Sequence, residues 1–418
     1  MSHSDTTDPR DLQQVLEITR TLAVEMDHDA LLRLIIDRSV ELLDAERGSL
    51  FLYDRDNDEL YSTVATGTGE IRFPADRGIA GATIRGGKVL NVPDAYADDR
   101  FNPEVDRRTG FRTRNILCLP LRDYENELVG VLQVLNKRGG PFGRREEELA
   151  ETLAAQAGVA LQRAGLMRHY AEKQEMERAM SIARDIQRSL LPQHPPRIDG
   201  YDVAAFSRPA DDTGGDVYDF LVLPDGRHML VVADATGHGI GPALVIAETR
   251  AMLRAISCSG CDISAVLETA NNLLHEDLGD DRFVTCFLGV LDAADARLQY
   301  AAAGHGPLLF YAREADRFAR ENATAVPLGI MDSMPFDDLR TVELAVGDFA
   351  AITTDGYFEA ENDAGEMFGI ERVEQVLRES RDLSAAEMIA RLTDNVDRHA
   401  TGLPQGDDLT AVVVKRTS

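Results

Sequence analysis

The sequence has no tryptophan and only four cysteines in 418 residues. So few cysteines exclude a disulfide framework as the main source of stability. Cys258 and Cys261 form an isolated Cys-x-x-Cys pair in the segment CSGC. A zinc site would need two further ligands, and a redox site would need a thioredoxin-like context. We therefore interpret the pair as two ordinary thiols.

Long apolar runs and an excess of positive charge are also missing. No segment approaches the length needed to cross a bilayer, and the first residues, MSHSDTTDPRD, are too polar and acidic for a signal or targeting peptide. Lysine and arginine number 44 against 72 aspartates and glutamates, a net charge of −28. Such a chain repels nucleic acid and anionic lipid, so we expect neither as a partner and predict a soluble cytoplasmic protein. The acidity serves either solubility alone or cation binding.

The first third of the chain combines helical and strand patterns. Residues 9–46 carry apolar side chains at helical spacing, and GSLFLYDRDNDELYSTVATG is typical of a hairpin. NILCLPLRD and LVGVLQVLNK predict another strand pair, and a helix begins near Arg144. This order resembles a GAF domain, a small sensory α/β module, over residues 15–165, after a tail of residues 1–14.

A short motif in this region bears on ligand binding. The segment NKRGGPFGRREEE contains Asn136, Lys137, Phe142 and Glu146, and it resembles the NKFDE pattern of cyclic-nucleotide-binding GAF domains, with Glu146 where the family has Asp. The resemblance implies that these four residues support a pocket for a cyclic nucleotide. Many GAF domains bind another small molecule or none. Lys137 and Glu146 are also expected to form an ion pair that stabilises the fold.

Residues 146–191 predict one long helix that links two domains. The segment has no proline until Pro192 and consists mostly of helix formers. Its apolar side chains follow a heptad-like spacing that changes phase near residue 176, which favours a dimerising coiled coil with a point of local unwinding. Polar Gln156 and Arg163 interrupt this seam, so the alternative is an amphipathic helix that packs on its own domains. The two sets are Leu149, Leu153, Gln156, Ala160, Arg163, Met167 and Tyr170, then Met176, Met180, Ala183, Gln187 and Leu190.

Beyond Tyr201, aspartates recur at strand ends or beside glycine. Asp216 lies in TGGDVYD, Asp234 in VVADATGHG, Asp355 in AITTDGYFEA and Asp407 in GDDLTAVVV. Each segment alone is an ordinary strand-to-turn junction. Four such sites together indicate a cation centre, because hard divalent cations bind several oxygen ligands from different elements.

The same segments resemble one enzyme family. RPADDTGGDVYDF, VVADATGHGIGPAL, YAAAGHGPLLFY, VPLGI, TTDGYFEA and GDDLTAVVV follow the order of the bacterial PPM family, the protein phosphatase 2C-like Ser/Thr phosphatases of the SpoIIE and RsbU type. The resemblance covers residues 175–416. It implies a phosphatase domain over residues 192–418, built as an α+β sandwich flanked by helices, so the whole chain is predicted to be an α/β multi-domain protein.

The resemblance also implies the chemistry. In the family, two Mn²⁺ or Mg²⁺ ions activate a bridging water that attacks phosphorus in line. Asp234 would bridge both metals, Asp216 and the carbonyl of Ala235 would serve one, and Asp355 and Asp407 the other. Ala235 stands where the wider family has glycine.

Four further residues have alternative roles. Asp408 is expected either to support the metal ligands or to help hold a third, weaker metal. His238 and His305 could act as general acids, although a structural hydrogen bond is the preferred interpretation. Arg208 could hold the substrate phosphate, since a guanidinium group matches phosphate oxygens.

The leading hypothesis is a metal-dependent phosphoserine/phosphothreonine phosphatase that a GAF sensor domain regulates. The family resemblance implies a phosphorylated STAS-type anti-sigma-factor antagonist as substrate, within a partner-switching pathway, and the linker favours a homodimer. Alternatives are a catalytically weak or inactive signalling scaffold that binds a small molecule, and a pure small-molecule receptor, which leaves the aspartates unexplained.

Overall fold

The computed structural model describes residues 9–62, 71–237, 239–279 and 282–418. The chain divides into two compact units, one ending at Met176 and the other beginning at Glu177, and each is described separately. Within the described ranges, no helix has the length and apolar character needed to cross a bilayer.

The N-terminal unit contains a mixed sequence of helices and strands. Its elements are α1 (Pro9–Val24), α2 (His28–Leu42), β1 (Arg47–Asp54), β2 (Glu59–Ser62), β3 (Ile71–Pro74), α3 (Gly78–Gly86), β4 (Leu90–Val92), α4 (Glu104–Thr109), β5 (Ile116–Arg122), β6 (Leu128–Leu135) and the first part of α5 (Arg144–Leu190). Helix α1 begins at Pro9, so the predicted 1–14 tail is helical from that residue onward.

One antiparallel sheet organises this unit. Its strand order is β3-β2-β1-β6-β5-β4, and the predicted β1–β2 hairpin forms with Leu52 opposite Tyr61. The end of that predicted hairpin, residues 63–67, lies outside the described residues. Helices α1, α2 and α5 share a core with one face of the sheet, whereas α3 packs with β4 on the other face.

Helix α5 uses its first apolar stripe inside its own unit. Leu149 and Leu153 are buried in the core with the sheet, and Arg163 donates to the carbonyls of Leu22 and Glu25 at the end of α1, at 3.0 and 3.1 Å. Arg163 therefore satisfies carbonyls that the end of α1 leaves free. This part of the predicted coiled-coil seam is wrong, because tertiary packing covers it.

The C-terminal unit is richer in strands. Its elements are the end of α5, then β7 (Tyr201–Arg208), β8 (Asp216–Val222), β9 (His228–Ala235), α6 (Ile240–Ser257), α7 (Ile263–Asp277), β10 (Val284–Asp292), β11 (Arg297–Ala303), β12 (Leu308–Ala312), β13 (Arg317–Glu321), β14 (Arg340–Glu343), β15 (Phe349–Thr353), α8 (Gly356–Glu359), α9 (Ile370–Glu379), α10 (Ala385–His399) and β16 (Leu409–Arg416).

These strands form a sandwich of two antiparallel sheets. One sheet has the order β14-β11-β10-β9-β8 and the other β13-β12-β15-β16-β7. Apolar side chains from both sheets meet in a central core that includes Val232, Phe287, Phe310 and Val412. Helices α6 and α7 cover the outer face of the first sheet, and α9 and α10 cover that of the second. The predicted β-sandwich flanked by helices is confirmed.

Candidate metal centre

Two of the predicted ligands lie directly opposite each other on neighbouring strands. Asp216 begins β8 and Asp234 is the penultimate residue of β9, and the antiparallel register pairs them. Side chains of such a pair project from the same face of the sheet, and two like charges in this position are destabilising. The register therefore places two carboxylates side by side, where they repel each other.

The other two predicted ligands come from the second sheet. Asp355 follows β15 after one residue, and Asp407 precedes β16 by one residue. Because β15 and β16 pair in antiparallel fashion with Thr353 opposite Ala411, their neighbouring ends bring the two aspartates together. The negative charge of Asp407 raises the pKa of Asp355, as expected for two carboxylates that lie close together.

A buried threonine joins the two sheets at this end of the sandwich. Thr354 Oγ1 donates to Asp216 Oδ2 at 2.7 Å and accepts from the backbone N–H of Thr410 at 3.0 Å. Sequence reasoning missed both threonines, although Thr354 lies next to Asp355 in TTDG and Thr410 lies two residues after Asp408 in DDLT. Thr354 connects the ligand of the first sheet with the strand ends that carry the other ligands.

The electrostatics of the cluster are those of uncompensated carboxylates. Burial raises the pKa of Asp216 well above its ordinary value, and the neighbouring Asp234 raises it further. Burial together with Asp355 and Asp407 raises the pKa of Asp234 to about 7. Burial, then Asp407, raises the pKa of Asp355 to about 6. Within the described residues no basic side chain pairs with Asp216, Asp234 or Asp355, so the cluster favours a cation.

Asp219 provides a contrast on the same strand. It is 1% exposed and is paired with Arg250 and Arg254, with Arg250 Nε 2.9 Å from its Oδ2. A buried carboxylate that serves structure is thus neutralised by side chains of α6. Asp216, three residues earlier, has no such partner among the described residues.

Asp408 organises the loop before β8. Its carboxylate accepts from the backbone N–H of Ala210 at 2.7 Å and from that of Gly215 at 2.6 Å. Burial raises its pKa, and these backbone hydrogen bonds lower it in part. The interpretation of Asp408 as a support for the ligands agrees with these contacts, since its oxygens bind backbone groups.

The carbonyl of Ala235 lies against a glycine. A Cβ added at Gly215 would lie 2.6 Å from the Ala235 oxygen, so only glycine fits there. The N–H of Ala235 in turn donates to the carbonyl of Gly215 at 3.0 Å. This close backbone approach fixes the Ala235 carbonyl beside the strand that carries Asp216.

The donor chemistry fits a hard divalent cation. Among the described residues, no three histidine, cysteine, aspartate or glutamate side chains are gathered closely enough to enclose an ion. Mg²⁺ needs no such cage, because it keeps several waters and binds through one or two carboxylates. Asp216 with Asp234, and Asp355 with Asp407, provide carboxylate pairs of this kind, and the Ala235 carbonyl adds a further oxygen.

The four motif residues of the N-terminal unit serve its own fold. Asn136 is fully buried and its side-chain amide donates to Glu46 Oε2 and to the Arg112 carbonyl, both at 2.9 Å. The expected ion pair forms, with Lys137 Nζ 3.6 Å from Glu146 Oε1. Phe142 is buried in the core.

Comparison with known families assigns both units. Residues 224–417 match the family model "Stage II sporulation protein E (SpoIIE)", and residues 27–161 match the model "GAF domain". The chain joins a GAF domain to a SpoIIE-type phosphatase domain.

Individual relatives resemble parts of this arrangement. The chain is 36% identical over 167 residues to "Probable 3′,5′-cyclic phosphodiesterase pde-5" of Caenorhabditis elegans, a match that spans 36% of this chain and 23% of that protein. The structure of the "SiaA-PP2C domain of Pseudomonas aeruginosa" superposes with a TM-score of 0.52 at 23% identity, covering 59% of this chain and 99% of that one. The phosphatase domain therefore has the PP2C fold. The structure of the SpoIIE phosphatase domain with a fragment of its regulatory domain, from Bacillus subtilis, covers 97% of this chain and 95% of that one at 16% identity and a TM-score of 0.46.

Arg208 and His305, two basic residues of the phosphatase domain, are both held by neighbouring protein groups. Arg208 donates to Gln405 Oε1 at 2.7 Å and to both carboxylate oxygens of Asp397. Its guanidinium group is therefore engaged, and the interpretation as a phosphate ligand finds no support in these contacts. His305 is 3% exposed, and burial lowers its pKa to about 4.

Of the two predicted histidines, only His305 lies within the described residues. His305 Nδ1 lies 3.1 Å from Thr285 Oγ1, and Thr285 pairs with Asp234 across β9 and β10. The buried imidazole thus forms a hydrogen bond with β10, the strand that pairs with the one carrying Asp234. His238 lies outside the described residues.

Proposed function

We propose that the chain is a metal-dependent phosphoserine/phosphothreonine protein phosphatase. The observation that carries the proposal is the cluster of Asp216, Asp234 and Asp355, whose mutual repulsion no basic side chain of the described residues relieves. A site for Mn²⁺ or Mg²⁺ explains why the fold tolerates this repulsion.

The residues of the chain would share the work as follows. Asp234 would bridge two ions, with Asp216 and the Ala235 carbonyl on one side and Asp355 and Asp407 on the other. When bound, the ions would supply a water of lowered pKa and neutralise charge on the phosphoryl oxygens. Thr354 would hold Asp216 in position, and Asp408 would hold the loop that leads to it.

The family resemblance suggests the substrate class. SpoIIE- and RsbU-type phosphatases act on phosphorylated STAS-type anti-sigma-factor antagonists, so we propose such a phosphoprotein as substrate and a partner-switching pathway as context. Arg208, which could hold the substrate phosphate, is engaged by Asp397, so we do not assign phosphate binding to it.

We further propose that the GAF domain regulates the phosphatase through α5. Near the end of this helix, Gln187 exchanges two hydrogen bonds with Gly214, one of them from Gly214 N–H to Gln187 Oε1 at 3.0 Å. Arg184 forms an ion pair with Asp212 in the same loop. The loop leads directly into Asp216, so a shift of the helix would move the Asp216 carboxylate, one of the proposed metal ligands.

Hydrolysis of p-nitrophenyl phosphate tests the catalytic proposal. We expect turnover that requires Mn²⁺ or Mg²⁺ and that falls at least about a hundred-fold in Asp355→Asn, because one ligand charge is lost. Asp295→Asn is the matched control, since Asp295 is exposed in the β10–β11 turn at the opposite end of the sheet.

Metal-independent turnover, or equal rates for wild type and Asp355→Asn, would overturn the catalytic proposal and favour a signalling scaffold. The same comparison with a phosphorylated STAS protein tests the substrate separately. Hydrolysis of p-nitrophenyl phosphate without release of phosphate from that protein would reject the substrate while leaving the enzyme class intact.

A further inference from the structure

The GAF domain contains a cavity on the face of its sheet that α5 covers. Its volume is about 570 Å³, within the range of small-molecule sites. The walls come from the turn after α3, from β4 and β5, and from the first turns of α5. Apolar side chains in these walls include Val89, Leu119, Pro120 and Ala154. None of the four motif side chains lines this space.

A buried hydrogen-bond acceptor without a partner lies in the wall. The amide nitrogen of Asn91 donates to the Phe142 carbonyl at 2.9 Å and to Glu147 Oε1 at 2.7 Å. Both partners are acceptors, so the orientation of the amide is fixed and Oδ1 is the remaining atom. This oxygen is buried and makes no hydrogen bond. Such groups in native proteins require an explanation, of which a ligand donor is one.

The charged side chains of the cavity point to a ligand with two unlike groups. Glu147 and Glu151 lie one turn apart on α5 and add carboxylate acceptors near Asn91. Lys88, in the turn after α3, supplies a cation that is exposed. The other basic residue, Arg122, donates instead to the carbonyls of Asn126 and Gly87, at 2.7 and 3.0 Å.

We propose that this cavity binds a small zwitterion of the amino-acid type. Its ammonium group would donate to Asn91 Oδ1 and to the carboxylates of Glu147 and Glu151, and its carboxylate would face Lys88. The apolar wall would accept a side chain. The inference does not depend on the phosphatase activity, because it rests on the GAF domain alone.

Binding of the free proteinogenic amino acids, each at millimolar concentration, to the full chain tests the proposal by thermal shift and calorimetry. We expect at least one to raise the Tm, with a Kd that increases about ten-fold or more in Glu151→Gln, because a charge-assisted hydrogen bond is lost. Ala155→Trp should abolish binding by filling the cavity, since Ala155 is an exposed residue of its wall.

Glu148→Gln is the matched control on the same helix, because Glu148 is exposed and lies outside the cavity wall. It should bind as the wild type does, and circular dichroism should show that all three variants are folded. No binding by any amino acid, or binding unchanged in both Glu151→Gln and Ala155→Trp, would overturn the proposal.

Discussion

At the scale of single residues, the surroundings of a side chain decide its use more than its type does. Asp216 and Asp219 lie on one strand and are both buried. Asp219 is neutralised by two arginines, whereas Asp216 receives a hydrogen bond from Thr354 and faces Asp234. Asp219 is used for a structural ion pair, whereas Asp216 has no basic partner among the described residues and is available to a cation.

Thr354 should therefore matter to both stability and metal binding. In Thr354→Val, Asp216 Oδ2 loses its donor and the Thr410 N–H loses its acceptor, so we expect a loss of about 1–3 kcal/mol in the free energy of unfolding. Mn²⁺ affinity measured by calorimetry should fall as well. Thr354→Ser keeps the hydroxyl group and should restore both quantities; failure of serine to do so would contradict this role.

His305 should make stability depend on pH in a predictable direction. Burial lowers its pKa to about 4 in the folded state, so the unfolded chain binds a proton first as the pH falls. The contribution of His305 to the free energy of unfolding is present above the ordinary histidine pKa of about 6.5 and is lost below it. We expect the free energy of unfolding to fall by about 2 kcal/mol between about pH 7 and pH 5 for this reason.

Urea unfolding of wild type and His305→Gln at the two pH values, with a chelator present, measures this contribution. The variant should lack that part of the pH dependence. His194→Gln is the control because His194 is exposed. An equal change with pH in His305→Gln and wild type would show that His305 is not the group responsible.

At the scale of elements, α5 has different neighbours along its length. Leu149, Leu153 and Ala160 are buried in the GAF core, and Gln187 near the end of the helix hydrogen-bonds Gly214 in the phosphatase domain. Between these parts the helix carries apolar side chains that are each more than half exposed: Leu166, Met167, Tyr170, Met176, Ile182 and Ile186. Met167, Tyr170 and Met176 are predicted heptad positions, and we expect the exposed side chains around Leu166 and Tyr170 to pair with a second copy.

Dimerisation through this surface is tested by light scattering after size-exclusion chromatography. We expect Leu166→Glu combined with Tyr170→Glu to convert a dimer into a monomer, because burial of two carboxylates in an apolar interface is unfavourable. Val222→Glu, at an exposed position on β8, should leave the mass unchanged. A wild-type monomer would reject the dimer.

The contact between α5 and the loop before Asp216 should affect turnover. Gln187→Ala removes two hydrogen bonds to Gly214, each worth about 0.5–1.5 kcal/mol, so the ordered loop should lose about ten-fold in population. We expect p-nitrophenyl phosphate turnover to fall by a similar factor at low Mn²⁺. Arg188→Ala, one residue further and exposed, is the control, and equal rates in the two variants would argue against coupling through this loop.

At the scale of the whole molecule, stability should be linked to metal and to pH together. The raised pKa values of Asp234 and Asp355, about 7 and about 6, mean that these two carboxyls bind more protons in the metal-free folded chain than in the unfolded chain between about pH 4 and 7. Their contribution to stability therefore falls as the pH rises through this range, opposite in sign to that of His305. Bound cations need the carboxylates deprotonated, so stabilisation by metal should increase over the same range.

Thermal unfolding with EDTA and with Mn²⁺ checks this linkage. At a metal concentration about a hundred times Kd, the stabilisation should reach about 2.7 kcal/mol, and it should be larger near pH 7.5 than near pH 5. Asp355→Asn should reduce the difference between the two conditions. A Tm that is insensitive to Mn²⁺ at both pH values would contradict the metal centre.

Local patterns were enough for much of this protein. The strand and helix periodicities, the helix that begins at Arg144, and the aspartates at strand ends all depend on neighbours in sequence, and the structure has the corresponding elements. The ordered motifs likewise predicted the two domains that the family models match. The recurrence of Asp216, Asp234, Asp355 and Asp407 at strand ends or beside glycine is such a local pattern, and it could be seen without the structure.

Other features depended on contacts between distant residues. The strand register set Asp234 opposite Asp216, the packing of α5 buried Leu149, Leu153 and Ala160 of the predicted seam, and Asp397 engaged Arg208 from 189 residues away. No local pattern contains these partners. The sequence by itself thus determined which carboxylates and elements the protein has, and the tertiary structure decided which of them meet, because pairing, burial and charge compensation are set only when remote segments pack together.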